Sequence, residues 1–111
     1  MRKFTDGALE LIAERFQALS EPTRLKILNL LWRDGELTVT DLVERIETGQ
    51  ANVSKHLGVL HRHGMVERRK EGLHAFYWIA DPVIFELCEL MCGSLEEQLA
   101  ARGKELERSG R

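Results

Sequence analysis

Residues 38–64 read TVTDLVERIETGQANVSKHLGVLHRHG and hold two short helical patterns separated by a tight turn. Thr38 and Asp41 form a capping-box pattern that opens the first helix, and Thr48-Gly49 follows it as a turn. The second helix is predicted over about 50–63 and ends at Gly64. Two short helices joined by a glycine-containing turn of about three to four residues are typical of a helix-turn-helix, which is predicted here over about 39–63.

Directly after this unit, the spacing of apolar residues changes from a helical period to the alternation that is typical of a strand. Residues 65–70 and 73–79 are rich in residues that favour strands, and Glu71-Gly72 between them favours a hairpin turn. Leu73 and Ile79 are predicted to share one face of the second strand with Ala75 and Tyr77. A hairpin over about 65–79, coming directly after a helix-turn-helix, predicts a winged helix.

Further helices are predicted on both sides of this winged unit. One runs from Thr5 or Asp6 to about Leu19, and a second covers about 22–34 with Ser20 as its capping residue. A last helix runs over about 82–102, and the polar tail 104–111 is expected to fray. The order helix, helix, helix, helix, strand, strand, helix predicts a mainly α fold with a small β-hairpin, as one domain over residues 1–111.

Composition narrows the class of protein. The chain has 111 residues and a mass of 12.7 kDa, with 43% hydrophobic and 31% charged residues, which is the balance of one globular domain. No apolar run approaches the roughly 18 residues of a membrane span, and no signal peptide is visible. Two cysteines make no disulfide framework. We therefore expect a cytoplasmic protein and exclude transporters, secreted disulfide scaffolds and large multi-domain enzymes.

Charge is distributed unevenly although the net charge is only −2. Residues 54–80 hold five lysines and arginines against two glutamates, together with all four histidines, whereas the flanking segments are net acidic. Local positive potential is sufficient for a protein that binds DNA through one face. A solvated charged hairpin is the alternative, and charge alone does not separate the two.

The helix that begins at Gln50 carries the candidate DNA-reading residues, because the second helix of such a unit enters the major groove. Its amides can pair with N6 and N7 of adenine, its lysine with O6 and N7 of guanine, and its serine with either of these bases. Its alanine methyl can contact the methyl group of thymine. No acidic side chain lies between Gly49 and Met65. An ordinary solvated helix surface is the weaker alternative. The predicted outward residues are Gln50, Ala51, Ser54 and Lys55, with Asn52 and His56 flanking them.

The predicted hairpin tip adds three consecutive cations. Arg68, Arg69 and Lys70 can contact backbone phosphates, which set the register of a protein on DNA without reading its sequence. The alternative is a charged strand edge that only prevents aggregation.

Two stretches carry a resemblance to a known family. Residues 18–28 read ALSEPTRLKIL, and residues 50–57 read QANVSKHL, followed by Leu60 and Gly64-Met65-Val66. They resemble the opening motif, recognition helix and wing entry of the ArsR/SmtB winged-helix repressors, over roughly residues 5–100. The resemblance implies a homodimer that pairs through the helices at about 5–19 and 82–102. It also implies that the dimer occupies operator DNA until an effector releases it, with Gln50, Ala51, Ser54 and Lys55 as DNA readers.

Metal sites known in that family are not matched here. The third-helix site needs two cysteines where Thr38 and Thr40 stand, and the last-helix zinc site needs histidines that this last helix lacks. Asp81 stands near the start of that helix without the other ligands.

Cys88 and Cys92 remain as candidate ligands for a soft metal or metalloid ion. Residues four apart on a helix have Cβ atoms about 5–6 Å apart, which is long for a disulfide but suits two thiolates on one ion. The competing interpretation is core packing, because cysteine behaves as a small hydrophobe. Nearby Glu89 and Glu96 would also raise a thiol pKa.

Two other functional classes compete with the DNA-binding hypothesis. A winged-helix module for protein–protein contact, without DNA affinity, is motivated by the net acidic charge and the apolar last helix. A thiol or metal-dependent enzyme is motivated only by Cys88 and Cys92. The sequence has no Cys-x-x-Cys motif, no nucleophile–base arrangement and no glycine-rich phosphate loop, so we expect no enzyme.

Overall fold

A computed structural model describes residues 3–103 of the chain, so the tail predicted to fray over 104–111 lies outside the described residues. The described part divides into two compact units, of which the first ends at Asp81 and the second begins at Pro82. The elements in chain order are α1 (Asp6–Leu19), α2 (Pro22–Asp34), β1 (Leu37–Thr38), α3 (Val39–Arg45), α4 (Gln50–Arg62), β2 (Val66–Glu71), β3 (His74–Ile79) and α5 (Val83–Ala101).

The junction between α1 and α2 differs from its prediction, because Ser20 does not cap α2. Ser20 ends α1 instead, where both its N–H and its hydroxyl donate to the carbonyl of Gln17. Glu21 is the N-cap of α2, and its Oε1 accepts the N–H of Thr23 at 2.9 Å. Pro22 explains the shift, since a residue before proline is driven to the extended backbone that an N-cap needs.

The predicted helix-turn-helix is confirmed as α3 and α4. Thr38 and Asp41 form the reciprocal capping box, with side-chain to backbone bonds of 3.1 and 3.0 Å. Gly49 precedes the first residue of α4. Leu42 of α3 and Val53 of α4 are fully buried, so the two helices are fixed to each other through the core.

The wing is confirmed as a hairpin, with one correction at its tip. Glu71 pairs with His74, so the loop consists of only Gly72 and Leu73. Gly72 has φ 64°, a conformation that glycine adopts without strain. Leu73 was predicted to begin the second strand, but it lies in this loop and is fully exposed.

The sequence did not predict β1, which turns the hairpin into a sheet of three strands in the order β1-β3-β2. Leu37 pairs with Tyr77, and Thr38 pairs with Phe76. Because α3 begins at Val39, this pairing holds the start of the helix-turn-helix beside the wing.

The core of the first unit lies under α4 and β2. The completely buried side chains come from α2, α3, α4 and the start of the wing, and include Ile27, Leu42, Val53, Leu57, Leu60, Met65 and Val66. At about 1.5–3 kcal/mol for each large apolar side chain removed from water, this set fixes α4 firmly against the sheet.

Helices α1 and α5 are far less buried. Ala18 is the only buried residue of α1, and Ile84 is the only one of α5. The apolar residues of α1 are therefore largely in solvent, with Leu9 and Phe16 each about half exposed. Among residues 3–103, no helix combines the length and apolar character that a membrane span needs.

Candidate nucleic-acid interface

The apolar side of α4 sets the direction of its polar side. Val53, Leu57 and Leu60 are 0% exposed, so the residues on the opposite side of the helix face solvent. The four residues predicted to face outward are all exposed, namely Gln50, Ala51, Ser54 and Lys55. The structure therefore brings together one amide, one methyl, one hydroxyl and one ammonium group.

The N-terminus of α4 adds positive potential to this surface. Gly49 is its N-cap, and no described side chain caps its first turn. Unpaired N–H groups and the helix dipole make such an end favourable for a phosphate.

Asn52 lies at the edge of this surface rather than on it. It is half-buried, and its Nδ2 donates to Oγ1 of Thr48 at 2.9 Å. This bond ties the first turn of α4 to the loop that precedes it, so Asn52 is engaged in shaping the turn.

His56 was predicted beside the outward face, and its placement corrects that expectation. The residue is only 6% exposed, because it lies three positions after Val53 and one before Leu57 on the buried side of α4. Its ring nitrogens lie 3.1 Å from Nη1 of Arg24 and 3.0 Å from Oε2 of Glu21. An imidazole held in this way is not available to a base edge.

The wing shares a groove with the start of α4. Arg68 and Lys70 are two residues apart on β2 and project to the same side, and both line a cavity of about 390 Å³ together with Gln50 and Ser54. The cavity is bounded by the wing, the start of α3 and the start of α4, so cations and base-reading groups face one space.

Arg69 projects to the other side of β2. Its Nη1 lies 2.5 Å from Oε1 of Glu36, its Nη2 lies 3.3 Å from Oε2 of Glu71, and its guanidinium stacks 4.6 Å from the centroid of the Phe76 ring. The three wing cations that the sequence treated as equal therefore have different environments.

Two residues that line the groove were not among the predicted DNA-binding residues. Thr40 and His74 line the same cavity, because the pairing of β1 with β3 brings the start of α3 against the wing. A strand of two residues leaves no periodicity to detect, so local sequence offers no signal for this proximity.

Cys88 and Cys92 lie one turn apart on α5. Cys88 is exposed, Cys92 is half-buried and neither forms a disulfide. Partial burial of the thiol, followed by the charge of Glu89, raises the pKa of Cys88. Within residues 3–103, no group of three or more histidines, cysteines or acids is arranged to hold a metal ion.

Comparison with known proteins agrees with this geometry. A family described as a helix-turn-helix domain matches residues 19–69. An uncharacterised HTH-type transcriptional regulator of Methanocaldococcus jannaschii is 39% identical over 82 residues, or 74% of this chain and 92% of that protein. The cadmium resistance transcriptional regulatory protein CadC of Listeria innocua is 38% identical over 77% of this chain and 71% of its own length.

A solved structure is similar over the full length of both chains. It is the homodimeric winged helix-turn-helix DNA-binding domain of a possible ArsR-family regulator from Mycobacterium bovis, with 27% identity and a TM-score of 0.75. The chain belongs to the ArsR/SmtB family. It is therefore a DNA-binding transcriptional regulator and not an enzyme, and the predicted winged helix-turn-helix class is confirmed.

Proposed function

We propose that this ArsR/SmtB regulator is a homodimeric repressor that occupies operator DNA with α4 of each protomer in the major groove. The helix-turn-helix of about 39–63 and the wing of about 65–79 are the DNA-binding part. One observation carries the proposal: Gln50 and Ser54 of α4 line the same groove as Arg68 and Lys70 of the wing, and Lys55 is exposed next to Ser54 on the helix.

Each exposed side chain of α4 has a defined role in this proposal. Lys55 donates to guanine O6 or N7, and Gln50 pairs with the N6–N7 edge of adenine. Ser54 accepts or donates to either base, and the methyl of Ala51 packs on a thymine methyl. Asn52 supports the reading residues by holding the turn through Thr48.

The wing supplies contacts that do not depend on sequence. Arg68 and Lys70 bind backbone phosphates from the groove side, while Arg69 reaches a phosphate only if it leaves Glu36 and Phe76. Each phosphate that a cation neutralises steepens the dependence of affinity on salt by about 0.9 on a log–log scale.

Dimerisation through α1 and α5, within about 5–19 and 82–102, accounts for the exposed apolar side chains of both helices. They are Leu9, Leu11 and Phe16 of α1 and Val83, Leu87, Leu90, Met91 and Leu95 of α5. The related mycobacterial domain is homodimeric. Two recognition helices about 34 Å apart would read half-sites one turn of DNA apart.

Electrophoretic mobility shift tests this function directly. The probe is the promoter region that precedes the protein's own gene, and the control is a scrambled duplex of equal length. We expect a salt-sensitive complex that prefers the promoter probe, together with a dimer in sedimentation. The absence of any such complex at micromolar protein would refute the proposal. A non-self protein partner captured without DNA affinity would instead support the interaction-module alternative.

We further propose that Cys88 and Cys92 respond to an effector, a soft metal or metalloid ion. The CadC relative is named for cadmium resistance, and two thiols one helical turn apart suit a soft ion. Two ligands are too few for a closed site, and the described residues of one chain hold no third, so ligands from a second protomer are required.

Titration of the operator complex with cadmium or arsenite tests whether the two cysteines respond to an effector. Cadmium or arsenite should release wild-type protein and leave the Cys88→Ser/Cys92→Ser variant bound. Ser94→Ala on the same helix is the matched control and should release as wild type does. Equal release of wild type and the double variant would assign both cysteines to packing.

Because DNA lies in the cytoplasm of the bacterial and archaeal cells from which these relatives come, we propose the same location for this protein.

A further inference from the structure

One polar residue stands out within the core. His56 is the only polar or charged residue in the described chain that is buried, and it belongs to α4, directly after Lys55. Burying an imidazole is unfavourable unless its ring nitrogens are hydrogen-bonded. Its partners therefore explain how the histidine can occupy this position.

Both partners of the imidazole come from the α1–α2 junction. Nδ1 lies 3.1 Å from Nη1 of Arg24, and Nε2 lies 3.0 Å from Oε2 of Glu21. A guanidinium only donates hydrogen bonds and a carboxylate only accepts them. Nδ1 must therefore accept from Arg24, and the proton of the neutral ring must sit on Nε2, which lies 3.0 Å from the Glu21 carboxylate. In a ring with protons on both nitrogens, the N–H at Nδ1 would face the N–H of Arg24, and both groups are donors.

Glu21 and Arg24 are themselves fixed to the backbone. Oε1 of Glu21 accepts the N–H of Thr23 at 2.9 Å, while Nε of Arg24 donates to the carbonyl of Ala18 at 2.6 Å. Oε2 of Glu21 is buried and forms no well-aligned hydrogen bond with the described residues, so its charge is met by the 3.0 Å contact with Nε2 of His56. The hydrogen bond from the N–H of Thr23 is the main cause that lowers the pKa of Glu21, so this carboxylate is charged at neutral pH.

The end of α1 and the start of α2 are thus joined to α4 through one ring. The apolar contacts of α4 fix how closely the helix packs against the core. Because apolar contacts are non-directional, they do not by themselves fix its rotation. The hydrogen bond from Arg24 and the 3.0 Å charge contact with Glu21, which reach the ring from two sides, fix the rotation of the helix about its own axis. With side chains extending about 5–6 Å from the axis, a rotation of about 10° would move the outward groups by about 1 Å, enough to disturb bidentate base contacts.

We propose that His56 is a positioning residue that holds the reading face of α4 at the rotation DNA requires, and that Glu21 and Arg24 act through it. This inference rests on the proposed operator binding. It assigns the α1–α2 junction a role in DNA affinity, although none of these three side chains contacts DNA. It also gives a route by which a change at α1 reaches the recognition helix.

Two substitutions of His56 separate positioning from packing. Glutamine in His56→Gln can accept from Arg24 with its oxygen and donate to Glu21 with its nitrogen, whereas leucine in His56→Leu fills similar volume without either bond. We expect His56→Gln to keep operator affinity within about threefold. We expect His56→Leu to lose about tenfold or more, the loss of one charge-assisted hydrogen bond, with unchanged binding to scrambled DNA.

A third variant covers the case in which His56→Leu does not fold. An amide has only one oxygen, so Glu21→Gln must lose either the hydrogen bond from Thr23 or the carboxylate oxygen that lies against His56. Its affinity for the operator should fall about three- to tenfold, while thermal unfolding confirms that it is folded.

A spectroscopic readout tests the network without DNA. Nitrogen-15 shifts of the His56 ring in the free wild-type protein should show a protonated Nε2 and an unprotonated Nδ1. The opposite tautomer would overturn the proposal, as would equal operator affinity of wild type and His56→Leu, or equal weakening by leucine and glutamine. If wild-type protein binds no operator, the proposed function itself fails, which is a distinct result.

Discussion

Helices α4 and α5 use their surfaces in opposite ways. Helix α4 has 13 residues and buries four of them, and its exposed side is polar with a single lysine. Helix α5 has 19 residues and buries only Ile84, while Leu90 and Met91 are 73% and 60% exposed. A helix depends on a covered apolar face for most of its stability. The apolar face of α4 is therefore covered within the chain, whereas most apolar side chains of α5 are exposed, as the proposed dimer contact would need.

The chemistry of each exposed side indicates the kind of partner. Hydrogen-bonding groups and cations around a groove suit a polyanion with readable base edges. Adjacent leucine and methionine side chains suit another apolar surface, and each would contribute about 1.5–3 kcal/mol when removed from water. The difference supports the proposal that α4 binds DNA and that α5 contacts a second copy of the chain, and the following variants test each part of it.

The largest effect is expected at α5. Leu90→Glu would place a charge in the apolar contact of both protomers, because a two-fold interface repeats every residue. With at least about 2 kcal/mol per copy, the dimer should weaken about a thousandfold. Sedimentation across a concentration series measures it. Gln98→Glu adds the same charge at an exposed polar position of α5 and should remain dimeric. A stable Leu90→Glu dimer would remove this face from the interface.

A smaller effect is expected at the reading face. Lys55→Ala should lower operator affinity by about 1–3 kcal/mol, or about five- to 150-fold, and relax the preference for guanine at one position. Lys26→Ala removes the same charge from an exposed position on α2 and serves as the control. If both lysine variants weaken binding equally, the effect is general electrostatics and Lys55 does not read a base.

The wing offers a comparison among three neighbouring cations. Arg68→Ala and Lys70→Ala should each reduce the slope of log affinity against log salt by about 0.9, with similar loss for any DNA sequence. Arg69→Ala should change the slope less, because its charge is already paired with Glu36 and Glu71. Titrations at several salt concentrations measure all three slopes. Equal slopes for the three variants would show that the paired arginine also moves to phosphate.

Features encoded by neighbouring residues were predicted correctly from sequence. The capping box of Thr38 and Asp41, the glycine that opens the wing turn and the four exposed residues at the start of α4 all depend on residues within one or two turns of each other. Burial of Val53 and Leu57 then fixed which side of α4 faces outward. Spacing and local chemistry were sufficient for this part of the candidate interface.

Features that depend on distant residues were missed. His56 has the polarity of a surface residue, and only the approach of Glu21 and Arg24, more than 30 positions away, allows it to be buried. Arg69 is distinguished from Arg68 by Glu36, which lies across the sheet. Strand β1 exists because β3 offers it a partner. In each case tertiary contact outweighs the local pattern.

The smallest effect concerns the capping box that opens the helix-turn-helix. The N–H of Thr38 lowers the pKa of Asp41 below its ordinary value, so the charged carboxylate stabilises the folded chain above the unfolded pKa of about 3.9. That contribution is lost as pH falls through the lower folded pKa. Asp41→Asn should therefore reduce the free energy of unfolding at pH 7 by about 0.5–1 kcal/mol.

Denaturant unfolding at a series of pH values checks this contribution through the difference between wild type and Asp41→Asn. The difference should be constant near neutrality and shrink as the solution is acidified below about pH 4. Taking the difference matters because Glu21 and Asp34 also have lowered pKa values and destabilise both proteins in acid. Asp6→Asn, in the first turn of α1, is the control for removing an exposed carboxylate. A difference that does not shrink in acid would mean that Asp41 stabilises α3 by hydrogen bonding without its charge.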